Sequence, residues 1–186
     1  MNHVHFSNTN QKIALYRRDG PKKRNEVIMS PLLILSTIAI SAALVFYTWG
    51  VFGERRSGTL TWKYVTLFWI GLACDTTGTL MMNSMAAQTA GGMGVHGITG
   101  VVAIVLMLIH ATWATWTYLR GSEQAQKRFH TFSTVVWLAW LIPYIIGILM
   151  GIPAIHLKAV CAAGTSVIVV ALLSVILALP RHRRYQ

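Results

Sequence analysis

The chain has 186 residues, 54% of them hydrophobic and only 11% charged, with a mean hydropathy of +0.54. A soluble domain carries about a quarter charged residues, so this chain lacks the polar surface to cover a water-facing globule. Its 16 Lys and Arg against 5 Asp and Glu sit mostly between long apolar runs. That is the pattern of membrane loops facing an anionic surface, and it argues against a nucleic-acid-binding domain.

In chain order, residues 1–26 form a polar, basic tail with Arg17, Arg18, Lys22, Lys23 and Arg24. No apolar run precedes a small-residue cleavage site, so the tail does not read as a cleavable signal. It reads either as a loosely ordered tail or as a docking arm for a larger membrane complex; the His3-x-His5 pair is weak evidence for a metal. Residues 27–179 contain five stretches long enough to cross the hydrocarbon core: Val27–Phe52, Lys63–Met85, Val95–Leu119, His130–Gly151 and Ile155–Leu179. The connections are short, and Pro153 marks a tight turn around Gly151–Ala154. Sequential helices are therefore expected to be antiparallel neighbours. The predicted fold is an all-α membrane protein, an up-and-down bundle of five transmembrane helices, with a basic C-terminal tail over 180–186. Cys74 and Cys161 both fall inside apolar runs, which excludes a disulfide framework.

Five spans place the N-tail, the 86–94 loop and the 152–155 turn on one side. Outside the tail that side carries only Lys158. The other carries Arg55, Arg56, Lys63, Arg120, Lys127, Arg128, Arg181, Arg183 and Arg184. Basic residues close to the spans set orientation, so the C-terminus is expected in the cytoplasm, against the contrary charge of the tail.

Ionisable groups inside a membrane are costly and are functional candidates by default. Here they are Asp75 in the second span, His96 and His110 in the third, His130 opening the fourth and His156 opening the fifth; His182 lies in the basic tail and reads as solvated. Fourteen residues bring His96 and His110 to one helix face, about 21 Å apart along the axis. Gly100, Ala103 and Met107 lie between them on that face, and the two small residues predict a shallow trough for a flat cofactor. His96 and His156 start their helices from one surface. His110 lies about 15 Å from the other end of its helix. Residues 122–129 can extend the fourth helix and lift His130 to a similar level. Two stacked His–His pairs are what two bis-histidine haems b require, with Lys158 at one level and Arg120 or Arg128 at the other to meet propionates. The competing structural reading is that the histidines bond between helices or sit among headgroups. One metal ion cannot be shared by two such distant levels.

Asp75 lies about 18 Å into its helix, within Cys74-Asp75-Thr76-Thr77-Gly78-Thr79. It is expected to be a hydrogen-bonded structural residue, an acceptor for the free N–H of His110, or a proton carrier. The tryptophans gather near helix ends, where interfacial anchoring explains most of them.

Several blocks resemble a known family. They are Phe46-Tyr47-Thr48-Trp49-Gly50-Val51, Leu67-Phe68-Trp69-Ile70-Gly71 running into Asp75-Thr76-Thr77-Gly78-Thr79, His96-Gly97-Ile98-Thr99-Gly100, His110-Ala111-Thr112-Trp113-Ala114 and Phe129-His130 to Ile142-Pro143. Over roughly residues 35–151 the chain resembles the HsmA-like family of small bacterial membrane proteins, though the long basic N-tail departs from that pattern. The resemblance implies the inner membrane of a bacterium and little biochemistry. The His spacing is also similar to that of di-haem transmembrane cytochromes b.

Two functions are expected from these residues. One is a di-haem b-type cytochrome passing electrons across or within the bilayer from a quinol or redox protein, with His96 and His156 on one haem and His110 and His130 on the other. The alternative is a non-redox membrane protein, either a small proton-coupled transporter using Asp75 or an accessory subunit of a larger complex.

Overall fold

A computed structural model describes residues 31–90, 95–151 and 158–179. Of these, 94% are helical. The five helices are α1 (Pro31–Ser57), α2 (Trp62–Ala90), α3 (Val95–Arg120), α4 (Glu123–Gly151) and α5 (Ala159–Ala178). All five are long and apolar enough to cross a membrane. The described residues from 36 onward make one compact unit, and residues 31–35 are the exposed start of α1. The two polar tails and the turn around Pro153 lie outside the described residues.

The helix ends follow local chemistry. Pro31 opens α1, where a missing N–H costs nothing and the fixed φ suits a first turn. Gly58 closes it at a φ of +69°, a conformation that a Cβ would oppose, and its N–H bonds back to the Glu54 carbonyl at 3.0 Å. The Ser57 hydroxyl lies within reach of both the Glu54 and the Thr59 carbonyls and donates its one hydrogen between them, tightening the turn. At the next turn on this end, the Gly121 N–H closes α3 onto the Thr117 carbonyl. The Ser122 hydroxyl then caps α4 by accepting the Ala125 N–H at 3.3 Å.

Three boundaries differ from the sequence expectation by several residues, one of them the end of α2, which runs on past Met85 to Ala90. The first span runs on past Phe52 to Ser57, which takes Glu54 into the helix. The fourth begins at Glu123 rather than His130, so residues 123–129 do extend it. Pro143 lies inside α4, where a membrane helix can accept it because neighbouring groups satisfy the released carbonyl.

Consecutive helices α2, α3, α4 and α5 pack side by side. α1 closes the ring between α2 and α4. Against α2 it packs through glycines: a Cβ at Gly78 would stand 2.9 Å from the Ser36 carbonyl, so only Gly permits this approach. Against α4 it is tied by the Trp137 indole, which donates to the Thr48 hydroxyl at 3.0 Å, while the Trp137 and Phe52 rings meet edge to face. Trp69 bonds Thr115 likewise between α2 and α3. The core inside α1–α4 is aromatic: Tyr47, Phe68, Phe129 and Trp140 are buried there with Met107. α5 lies outside this ring against α4 and buries only Ala162 and Ser166. The Arg55 guanidinium donates to the Leu177 carbonyl near its C-terminus.

Candidate functional site

The polar residues of the bundle interior form one column, and helix periodicity puts them there. On α3, positions 103, 107, 110, 114 and 117 share a face, and Ala103, Met107, His110, Ala114 and Thr117 are all buried on it. On α1, Tyr47 and Glu54 are two turns apart on one face, about 10 Å along the axis. Both side chains are fully buried.

His110 sits at the centre. Its ring is 0% exposed and walled by aromatics from three helices. Phe68 meets it edge-on at 4.5 Å, Phe129 stacks on it at 5.1 Å, Tyr47 lies at 5.2 Å and Phe132 at 5.9 Å. Neither ring nitrogen has a hydrogen-bond partner among the described residues, and the buried Tyr47 hydroxyl has none either.

Deeper in the bundle, Gly71 packs beside Tyr47 and Ala43, and Gly78 beside Ile40 and Ser36, so Asp75 lies between those levels. It is 5% exposed. The Trp140 indole lies beside its carboxyl, and the Tyr47 phenol is close enough to interact with it electrostatically. Its Oδ2 has no partner among the described residues. The expected bond from His110 to Asp75 is therefore not made: His110 has aromatic walls, and Asp75 turns to Trp140.

Towards the end bearing Arg55, Arg56, Arg120, Lys127 and Arg128, His130 and Glu54 form a close pair. Nδ1 and Oε2 are 2.6 Å apart, and the other ring nitrogen, Nε2, lies 3.2 Å from the Gly58 carbonyl. A carbonyl only accepts, so Nε2 carries an N–H. One further proton then lies between Nδ1 and Oε2, whichever atom holds it. The second carboxyl oxygen, Oε1, has no partner, and the Ser133 hydroxyl lies beside the carboxyl but outside bonding geometry. Arg55 is the nearby cation.

These contacts bear on the expected haem ligands. His130 has both nitrogens engaged, by the Glu54 carboxyl and the Gly58 carbonyl, so neither is free for an iron in this arrangement. Gly100 is half-buried, and a Cβ there would meet the Thr79 methyl at 3.0 Å. Ala103 is buried in the core. The small residues of that face thus let α2 approach α3, and the expected trough is filled by protein. The His96 side chain and the whole of His156 lie outside the described residues. Lys158 is exposed ahead of α5, and Arg128 is exposed on α4. No group of three or more His, Cys, Asp or Glu among the described residues could hold a metal ion.

Glu54 and Tyr47 were not anticipated from the sequence. Their seven-residue spacing was the available signal, but Glu54 stands directly before Arg55-Arg56 and beyond the run that ended at Phe52, so it read as loop. No family model, curated protein or solved structure matches the chain.

Proposed function

We propose that this integral membrane protein is a small proton-coupled transporter in which Asp75 is the proton carrier. Protons reach it from the basic end through the Glu54–His130 pair, His110 and Tyr47. The observation that carries this reading is the column itself: Glu54, Tyr47, Asp75, His110, Thr117 and Ser133, from four different helices, each present a buried polar atom with no partner among the described residues. An unsatisfied polar group in a bilayer costs several kcal/mol, so a sequence retains such a column where the groups are used. Neutral imidazole suits the middle position, because it accepts a proton on one nitrogen and releases one from the other. Water bridging these groups completes a relay. On this reading the basic end faces the cytoplasm of a bacterial cell.

A pH-step infrared experiment on the protein in vesicles tests it. The carboxyl C=O band of protonated Asp75 appears with time and is missing in Asp75→Asn. In Glu54→Gln the band appears about 100-fold more slowly, the scale of a positioned acid–base group. A wild-type protein with no such band, or a Glu54→Gln rate equal to wild type, overturns the proposal.

A second reading, electron transfer by two haems b, is favoured by the two unpartnered nitrogens of His110. An inner haem clamped by His110 and His130 does not fit, because Glu54 and Gly58 hold His130 and packed aromatics surround His110. The outer pair, His96 and His156, with a quinone, a redox protein or a complex docked through the N-terminal tail, belongs to this second reading. A reduced-minus-oxidised visible spectrum of the purified protein separates the readings: haem bands would establish this second one.

A further inference from the structure

Outside the polar column, α4 carries a second set of residues with a distinct chemistry. Gln124, Lys127, Arg128, Thr131 and Phe132 follow one another at helical spacing on its basic-end half, and they line an open recess of about 600 Å³. Four of the five are polar or cationic, and no acidic residue lines the recess. The Lys127 and Arg128 side chains are exposed and take part in none of the bridges formed by the bundle's buried acids.

The recess changes character along the helix. Its lower rim is cationic, and one turn further into the membrane Phe132 forms an apolar floor. The Trp113 ring of α3 lies 4.5 Å from Phe132, and Trp113 is 44% exposed. One turn back towards the basic end, Trp116 is exposed beneath the Arg120 guanidinium, 4.9 Å from its ring centre. Two cations and two hydrogen-bonding side chains beneath an aromatic apolar wall match one kind of molecule: an anion carrying an acyl chain.

We infer that this recess binds the headgroup of an anionic phospholipid. Lys127 and Arg128 hold the phosphate, Gln124 and Thr131 bond the headgroup's oxygens, and the chain lies on Phe132 and Trp113. The lipid would then press on the outer side of a ring whose inner side faces His110, since Phe132 touches both Trp113 and His110. The inference does not rest on proton transport, because Gln124, Lys127, Arg128 and Thr131, which hold the headgroup, are exposed and play no part in the column.

Tryptophan quenching by lipids brominated in the acyl chain tests it in vesicles. Phosphatidylglycerol should be enriched at the site about tenfold over phosphatidylcholine, seen as excess quenching. That excess should vanish in Trp113→Phe and in the double variant Lys127→Gln/Arg128→Gln. It should persist in Arg56→Gln/Lys63→Gln, which removes the same charge from exposed positions elsewhere on the basic end. Equal quenching by the two lipids overturns the inference, as does equal loss in both double variants, which would mark diffuse attraction. Displacement of bound phosphatidylglycerol by inorganic phosphate would transfer the site to a free anion and overturn it as well. Far-ultraviolet circular dichroism of each variant confirms that the helices are retained.

Discussion

The Glu54–His130 pair and the His110 cage are neighbours in the bundle, since Phe129 of the cage directly precedes His130, yet they treat an imidazole in opposite ways. His130 has an acceptor at each nitrogen, one a carboxylate and one a carbonyl. His110 is surrounded by rings and has no such partner among the described residues. The pair is what stability alone can produce, since a charge removed from water is matched on the spot. The cage is what stability alone disfavours, because an apolar ring would fill it at less cost. The contrast separates a relay member whose ring is held at both nitrogens from one that no bond among the described residues holds.

Breaking the pair should have the largest effect. Glu54→Ala leaves His130 facing an empty position and is expected to destabilise the protein by about 3 kcal/mol, the upper end of the cost of stranding a polar partner. Denaturation in detergent measures this, and a loss no greater than that of an exposed control such as Glu123→Ala would contradict it. The cage should respond with the opposite sign. His110→Phe removes two unpartnered nitrogens while keeping a ring in the cage, and should be neutral or stabilising by about 1–3 kcal/mol while Asp75 loading slows. A strongly destabilised His110→Phe would mean that His110 is structural after all, and would erase the contrast. The smallest effect sharpens the background. Thr48→Val removes the acceptor of the Trp137 indole and should cost about 0.6 kcal/mol, typical of a single hydrogen bond between membrane helices. A larger loss would show that ordinary interhelical bonds in this bundle approach the pair in strength.

The sequence carried the five spans because length and apolarity alone mark them, and the short links left antiparallel packing as the natural arrangement. His110 was legible as an inward residue, since Ala103 and Met107 share its face and all three are buried. Its surroundings were not. Phe68 and Phe129 come from other helices, and nothing local announces that they close on the ring. The partner of His130 lies 76 residues away. Glu54 stands beyond the apolar run and directly before two arginines, and only the last turn of α1 carries it inward. Gly100 shows a different failure. Small residues between two histidines suit a flat ligand and suit a neighbouring helix equally well, and only Thr79 across the interface decides between them.

The outlying position of α5 has a consequence for how the chain is made. The aromatic core is supplied by α1 to α4, so those helices can consolidate once Gly151 has entered the bilayer, while synthesis continues. α5 arrives last and brings two fully enclosed residues, with Val170, Leu173 and Leu177 settling against a surface that already exists. The Arg55 guanidinium then meets the Leu177 carbonyl, joining the end of the first helix to the end of the last. That clasp lies outside the four-helix ring, so a chain halted before α5 would already hold the polar column in place.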